Sequence, residues 1–111
     1  MTIEDKNKID MITMTKEGIY PQKVILIITD HLNWESDINE HLFQLQEKLN
    51  VYINVIESKN IYKYFPDAKG RDNFLIKIYF KYQIPDECIC FLEKINEVIK
   101  AINISIEFEI G

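Results

Sequence analysis

The sequence predicts an α+β fold, a two-layer α/β sandwich with element order ββαβαβ, in which a four-stranded mixed sheet carries two helices on one face. Three observations predict it. A continuous aliphatic run at residues 24–28 is typical of a central strand. Two long segments repeat their apolar residues with the helical period. The last segment, residues 102–110, alternates apolar and polar residues, as a strand with one wet face does.

The first two strands are predicted to form an antiparallel hairpin. Residues 9–15 alternate loosely and predict the first strand, and Gly18 in the following turn is free to adopt a positive φ. The second strand is predicted over residues 19–29 and should be central, covered on both faces. Pro21 cannot donate to a ladder, so this end of the strand should lie at the sheet margin or at a bulge.

The first helix is predicted from Trp34 to about Lys59, because apolar residues recur there at spacings of three and four. These positions are Ile38, Leu42, Leu45, Leu49, Ile53 and Ile56. Asn33 is the predicted N-cap, and Glu35 and Asp37 in the first turn would oppose the positive end of the helix dipole.

The second half of the chain predicts a strand, a helix and a strand after a long connecting loop. Residues 73–82 alternate and predict the third strand. Pro85 suits the first position of the second helix, which runs to about Ala101 and buries an apolar stripe that includes Cys88. Two right-handed crossovers then place the strands in the order 1-2-3-4, with strand 1 antiparallel.

Length and composition favour one globular domain. The chain has 111 residues, of which 47% are hydrophobic and 28% charged, enough to bury a core. We expect residues 1–8 to form a flexible N-terminal tail and residues 9–111 a single α+β domain. The longest aliphatic run is far shorter than a membrane span or a signal-peptide core, so we expect no membrane partner and a cytoplasmic location. Cys88 and Cys90 point about 200° apart on a helix and cannot pair.

The charge distribution makes nucleic acid an unfavoured partner. The net charge is −5, whereas nucleic-acid binding depends on Lys and Arg at phosphates. Residues 59–81 do carry six basic side chains against two acidic ones, interleaved with six aromatic residues. A stacking surface for a single strand would need these lysines and tyrosines on one exposed surface, but aromatic residues at strand spacing are more often core.

The carboxyl edge of strands 2 and 3 is the candidate ligand site, because ligands of open α/β sheets usually bind there. The candidate ligand-binding residues are Asp30, His31, Trp34, Tyr82 and Gln83. Asp30 and His31 should not form a catalytic pair, since neighbouring side chains of a strand point in opposite directions. Trp34 lies at helical spacing from His41 and Tyr52, so packing would explain this only tryptophan without a ligand.

The sequence predicts no catalytic residue, metal or cofactor. His31 and His41 are ten residues apart and lack a third ligand at zinc-site spacing. Cys88 in the first turn of a helix could be a thiolate, but Asp86 and Glu87 oppose that charge, so a core cysteine is expected.

The sheet face without helices is predicted to be an interface. It would carry Leu75, Lys77 and Tyr79 together with half of the aliphatic run of strand 2. Such a face is too apolar for water, which favours a protein partner or a homodimer.

Six motifs spread along the chain, from Ile9 to Phe108, carry a resemblance to a known family. They read IDMI, LIITDHLNW, HLFQLQEKLNVYINVIES, IYKYFPDAKGR, IKIYFKY and FLEKINEVI. Together they resemble an uncharacterised family of small bacterial proteins, a domain of unknown function. The resemblance implies a bacterial single-domain protein and supplies no activity, cofactor or site residue.

Two functions of different classes stay open. A non-enzymatic protein-interaction module, such as an immunity-like or regulatory partner that acts by occlusion, is favoured by acidity, small size and the lack of a convergent catalytic set. The alternative is a small-ligand binder or enzyme that uses the carboxyl edge around Asp30, His31 and Trp34. A deep pocket at that edge would favour the alternative, whereas a filled corner would favour the interaction module.

Overall fold

The sheet is built around the aliphatic run of the second strand. The computed structural model describes residues 11–14, 23–35 and 37–111. Its strands are β1 (Met11–Met14), β2 (Lys23–Asp30), β3 (Asn73–Phe80) and β4 (Ile104–Ile110). They form one sheet in the order β1-β2-β3-β4, in which β1 is antiparallel to β2 and the other two contacts are parallel. The predicted strand order and directions are therefore confirmed.

Two long helices cover one face of the sheet. They are α1 (Ile38–Glu57) and α3 (Asp86–Ile99), and the one-turn helix α2 (Ile61–Tyr64) lies in the predicted connecting loop. The long helix α1 ends where Lys59 adopts a left-handed φ of 64°. None of the described helices is long and apolar enough to cross a membrane.

Alternate residues of the strands face the two long helices. The register pairs Val24 with Phe74 and Leu26 with Ile76, and all four side chains are buried in one apolar cluster with residues of both helices. The intervening side chains of β2 point to the other face and are only half-buried. The aliphatic run is therefore central, as predicted, but it is fully covered on the helix side alone.

The buried stripe of α1 is rotated from the predicted one. Its buried residues are His41, Leu45, Lys48, Leu49, Tyr52 and Ile56. The predicted positions Ile38, Leu42 and Ile53 are only half-buried. The Tyr52 hydroxyl donates to the Ile27 carbonyl at 2.8 Å, which holds this side of the helix against β2.

The helix α1 begins one turn later than predicted. Its N-cap is Asp37, whose carboxylate accepts from the Glu40 amide at 3.1 Å. Asn33, the predicted cap, instead accepts from the Glu35 amide at 3.2 Å in a local turn that does not continue as a helix. The late start allows Trp34 to reach His41, because two helical residues seven apart would be about 10 Å apart.

Other element ends differ from the prediction by one to three residues. The strand β3 stops at Phe80, and the next amide, of Lys81, still donates to the Asp30 carbonyl at 2.9 Å. Pro85 is the N-cap of α3 rather than its first residue. A 3-10 turn at residues 100–102 follows α3, and Asn103 with φ 62° starts the turn into β4.

Several predictions about the first residues lie outside the described part of the chain. They concern the flexible tail at residues 1–8, the turn at Gly18 and the position of Pro21. The described strand β1 falls within the predicted segment 9–15.

We expect Leu45→Ala and Leu49→Ala each to lower the free energy of unfolding by about 2 to 5 kcal/mol, because both side chains are fully buried between α1 and the sheet. Urea denaturation measures the change. Phe43→Ala, at an exposed position of the same helix, is the control and should change stability by less than about 0.5 kcal/mol. Losses below about 1 kcal/mol for both leucine variants would contradict this packing.

Candidate functional site

The carboxyl end of β2 carries a buried acid. Asp30 continues the helix-facing alternation of Leu26 and Ile28 and is 2% exposed. Its Oδ1 accepts from the Leu32 amide at 3.1 Å, and its Oδ2 lies 2.6 Å from Nε2 of His41. Both carboxylate oxygens are thus hydrogen-bonded, as a buried carboxylate requires.

The histidine that meets Asp30 comes from the first turn of α1. His41 is 5% exposed and donates through its Nε2–H to the carboxylate. The Trp34 indole stacks on its ring, with centroids 3.5 Å apart and planes 13° apart. The indole also packs at 6.3 Å against the ring of Phe80. We call Asp30, Trp34 and His41 the corner cluster.

The corner cluster resembles the acid–histidine half of a catalytic triad, and no nucleophile bonded to this histidine is found among the described residues. A catalytic histidine directs its second nitrogen at a nucleophile or a substrate. The Nδ1 of His41 is buried and has no hydrogen-bond partner in the described structure, and the same holds for Nε1 of Trp34. Because the indole lies flat on the imidazole, the stacked pair ties β2, the following loop and α1 together.

The nearby thiol is also unreactive. Cys88 in the first turn of α3 is fully buried, and burial together with the charge of Asp30 raises its pKa to about 12. The thiol therefore stays protonated at neutral pH and is not a nucleophile. The expectation of a core cysteine is confirmed. The described residues contain no group of three or more His, Cys, Asp or Glu side chains that could hold a metal ion.

A shallow cavity of about 300 Å³ opens beside the corner cluster. Its lining consists of Thr29, Asp30, His31, Tyr79, Phe80, Lys81, Glu109 and Gly111. The oxygens of Asp30 are already engaged by Leu32 and His41, so this carboxylate is not directed at the cavity contents. The corner is therefore filled by its own side chains and has no deep pocket among the described residues.

The predicted ligand-binding residues are brought together only in part. Asp30 and His31 line the cavity, with Asp30 buried and His31 exposed on the opposite side of the chain. Trp34 belongs to the corner cluster instead. Tyr82 and Gln83 are exposed beyond the end of β3 and are not among the described lining residues.

Sequence reasoning missed His41 as the partner of Asp30, although a signal was present. Asp30 occupies a helix-facing position of β2, and a buried acid needs a hydrogen-bonding partner. His41 lies four residues before Leu45, on the same face of the amphipathic helix. The crossover from β2 to α1 brings the first turn of the helix back to that end of the strand.

The second candidate surface is the sheet face that no described helix covers. Lys77 lies in its centre, with Nζ 3.8 Å from carboxylate oxygens of both Glu107 and Glu109 and 5.7 Å from the ring centre of Tyr79. Tyr79 is 40% exposed and Leu75 is buried. We call the apolar residues around this lysine, together with the lysine itself, the open face: Ile25, Ile27, Leu75, Lys77 and Tyr79.

The basic and aromatic residues of segment 59–81 do not form a stacking platform. Phe74 and Phe80 are core residues, and Tyr62 and Phe65 pack against the core. Only two of the six aromatic side chains in this segment, Tyr64 and Tyr79, are exposed. The geometry required for a single-stranded nucleic acid is thus not met here.

The fold and its surfaces define a two-layer α+β protein with a closed polar corner and an open sheet face. The chain belongs to a family of unknown function (DUF6572), whose family model matches residues 1–111. No curated protein and no solved structure matches it. The expected membership of a family of unknown function is confirmed.

We expect iodoacetamide to alkylate Cys90 in the folded protein and to leave Cys88 unmodified, because Cys90 is exposed and Cys88 is a buried, protonated thiol. Peptide mass spectrometry distinguishes the two sites, and both should react in denaturant. Cys90→Ser is the control and should abolish labelling of the native state.

The raised pKa of Cys88 predicts that the folded protein loses stability at alkaline pH. Its folded pKa of about 12 exceeds the ordinary value of 9.0, so its stabilising contribution is complete below pH 9.0 and is lost as the pH rises toward 12. Equal alkylation rates at Cys88 and Cys90 in the native protein would contradict the burial and the raised pKa of Cys88.

Proposed function

We propose that this protein is a non-enzymatic protein-interaction module whose open face binds a second copy of the chain. The observation that supports the proposal is an apolar band on the sheet face that no described helix covers, at whose centre the charge of Lys77 is already met by two glutamates. A face of this kind can associate with a partner that brings no acidic side chain to pair with Lys77.

The apolar part of the open face supplies the driving force. Ile25 and Leu75 are register partners on adjacent strands, and Ile27 pairs in the same way with Lys77. Tyr79 stands next along β3 and is the most exposed member. Removing the remaining apolar surface from water stabilises a complex by roughly 25 cal/mol per Å².

The charge arrangement favours a second copy as the occupant. Nζ of Lys77 lies 3.8 Å from carboxylate oxygens of Glu107 and Glu109 of its own chain, so the lysine at the middle of the face needs no carboxylate from a partner. A two-fold axis through the face would set one apolar band on another, since the same patch meets itself in such a dimer. Each Lys77 that approaches the axis is accompanied by the two glutamates of its own chain.

The size of the face predicts a weak dimer. Strands about 4.8 Å apart with a rise of about 3.3 Å per residue give the four described strands an area of roughly 400 Å² per copy. Stable interfaces bury about 1,200 to 2,000 Å² in total, so two such faces lie below that range. We therefore expect a dimer that forms at high protein concentration and dissociates on dilution.

The alternative function, a small-ligand binder or enzyme at the carboxyl edge around Asp30, His31 and Trp34, has less support. Asp30 is saturated by hydrogen bonds, and Trp34 covers the ring of His41. The raised pKa of Cys88 removes the nearest thiol as a nucleophile.

A cytoplasmic location is part of the proposal. Cys88 and Cys90 are both free, as is usual in a reducing compartment. Fractionation of the source cells tests this point, and recovery of the protein outside the cytoplasm would reject it.

We expect Tyr79→Glu to abolish the dimer and leave the protein folded, because the new carboxylate would stand in the apolar band next to its register partner Glu109. Sedimentation over a concentration series measures the association, and far-UV circular dichroism checks the fold. Tyr64→Glu adds the same charge at an exposed site on α2 and should associate like the unmodified protein. A monomer at every concentration of the unmodified protein would reject the proposal.

A further inference from the structure

The outer edge of β4 carries backbone groups that point away from the sheet. The Phe74 amide donates to the Asn103 carbonyl and the Gly111 amide donates to the Phe80 carbonyl, both at 3.0 Å. Backbone groups of successive strand residues point to opposite sides, so those of residues 103 and 111, and of the odd-numbered residues between them, face β3. The even-numbered residues therefore turn their N–H and C=O groups outward: Ile104, Ile106, Phe108 and Ile110.

The backbone groups of one of these residues are already hydrogen-bonded to a side chain of α3. The Oδ1 of Asn96 accepts from the Ile106 amide at 3.1 Å, and its Nδ2 donates to the Ile106 carbonyl at 3.5 Å. The side-chain amide of Asn96 thus forms hydrogen bonds with both the N–H and the C=O of Ile106, as a neighbouring strand would. Among the described residues nothing comparable meets Phe108 or Ile110, so the free part of the edge begins beyond Asn96.

The free end of β4 has a different chemistry on each side. Phe108 and Ile110 are 38% and 37% exposed on the helix-facing side. Glu107 and Glu109 are exposed on the opposite side. An apolar pair and an acidic pair therefore flank the same stretch of unpaired backbone.

We infer that this free end binds an extended segment of another protein in which basic and apolar residues alternate. A segment added as a fifth strand would pair its backbone with Phe108 and Ile110. Its alternate side chains would then lie beside the glutamates on one face and beside the apolar pair on the other. Opposite charges and apolar pairs on neighbouring strands stabilise a sheet, so basic and apolar residues fit these two positions.

A second copy of the chain does not fit this edge. Antiparallel pairing of two β4 strands would set Glu107 and Glu109 of one copy against the same residues of the other, and like charges directly opposite are destabilising. The edge shares Glu107 and Glu109 with the surroundings of the open face, but its pairing uses the outward backbone groups of β4. The inference therefore goes beyond self-association and does not depend on it.

The test uses a synthetic peptide of alternating lysine and valine, about eight residues long, which is the length of a strand in this sheet. Amide chemical shifts of the full-length protein are recorded during titration. We expect saturable shifts centred on Phe108 and Ile110. A peptide of alternating glutamate and valine should not bind, and one with the lysines in one block and the valines in another should bind about ten-fold more weakly.

Two protein variants separate the edge from general electrostatics. Glu107→Lys with Glu109→Lys should abolish binding of the lysine peptide and permit binding of the glutamate peptide. Glu35→Lys with Glu57→Lys makes the same change of net charge at exposed positions outside the free end of β4 and should retain the original preference. Asn96→Ala releases the Ile106 backbone groups and should tighten binding by about ten-fold, since the free edge becomes longer.

Three results would overturn the inference. They are the absence of saturable binding by the lysine–valine peptide, shifts centred away from residues 106–110, and equal binding of the lysine and glutamate peptides. Each can be read from the unmodified protein, so none depends on whether a variant folds. The dimer of the open face is measured separately by sedimentation, so failure of one proposal is distinguishable from failure of the other.

Discussion

The hydrogen bond between Asp30 and His41 is the interaction on which the rest of the structure depends. It joins the end of β2 to the first turn of α1 inside the core, where neither group can reach water. Removing one member of such a pair leaves the other buried without a partner, a change that costs about 3 to 5 kcal/mol. The pair also explains the path of the chain between the two elements: residues 31–35 fold back so that Trp34 covers the imidazole. The start of α1 at Ile38 follows from that path.

The closed corner moves the search for function to the outside of the sheet. A carboxyl edge occupied by its own Asp, His and Trp side chains offers a ligand little more than a shallow cavity. The two sheet surfaces differ in chemistry. At the open face, the charge of Lys77 is met by two glutamates of the same chain, which supports the proposed like partner. At the end of β4, no described residue pairs with the outward backbone groups beside Glu107 and Glu109, which suits a basic partner. Both proposals are of binding alone, with no reaction at either surface.

Periodicity was sufficient for the architecture, because strand order and direction follow from the alternation of elements and the handedness of crossovers. Periodicity did not predict the contacts of the corner cluster. Asp30 and His41 are eleven residues apart and on different elements, and the periodicity of α1 identified its apolar residues but not the polar ones beside them. Asn33 resembles a good cap, yet the cap is Asp37 and α1 starts at Ile38, which leaves Trp34 free to stack on His41. The bonds of Asn96 to Ile106 depend on the docking of α3 against β4, which local sequence does not encode.

A double-mutant cycle between Asp30 and His41 tests the central role of this pair most directly. The free energies of urea unfolding are compared for the unmodified protein, Asp30→Ala, His41→Ala and the double variant. If the pair is the constraint described above, each single variant is strongly destabilised, and the double variant is little worse than either, with a coupling of about 2 kcal/mol or more. Losses that add to within about 0.5 kcal/mol would show that the two residues act independently and would contradict this role.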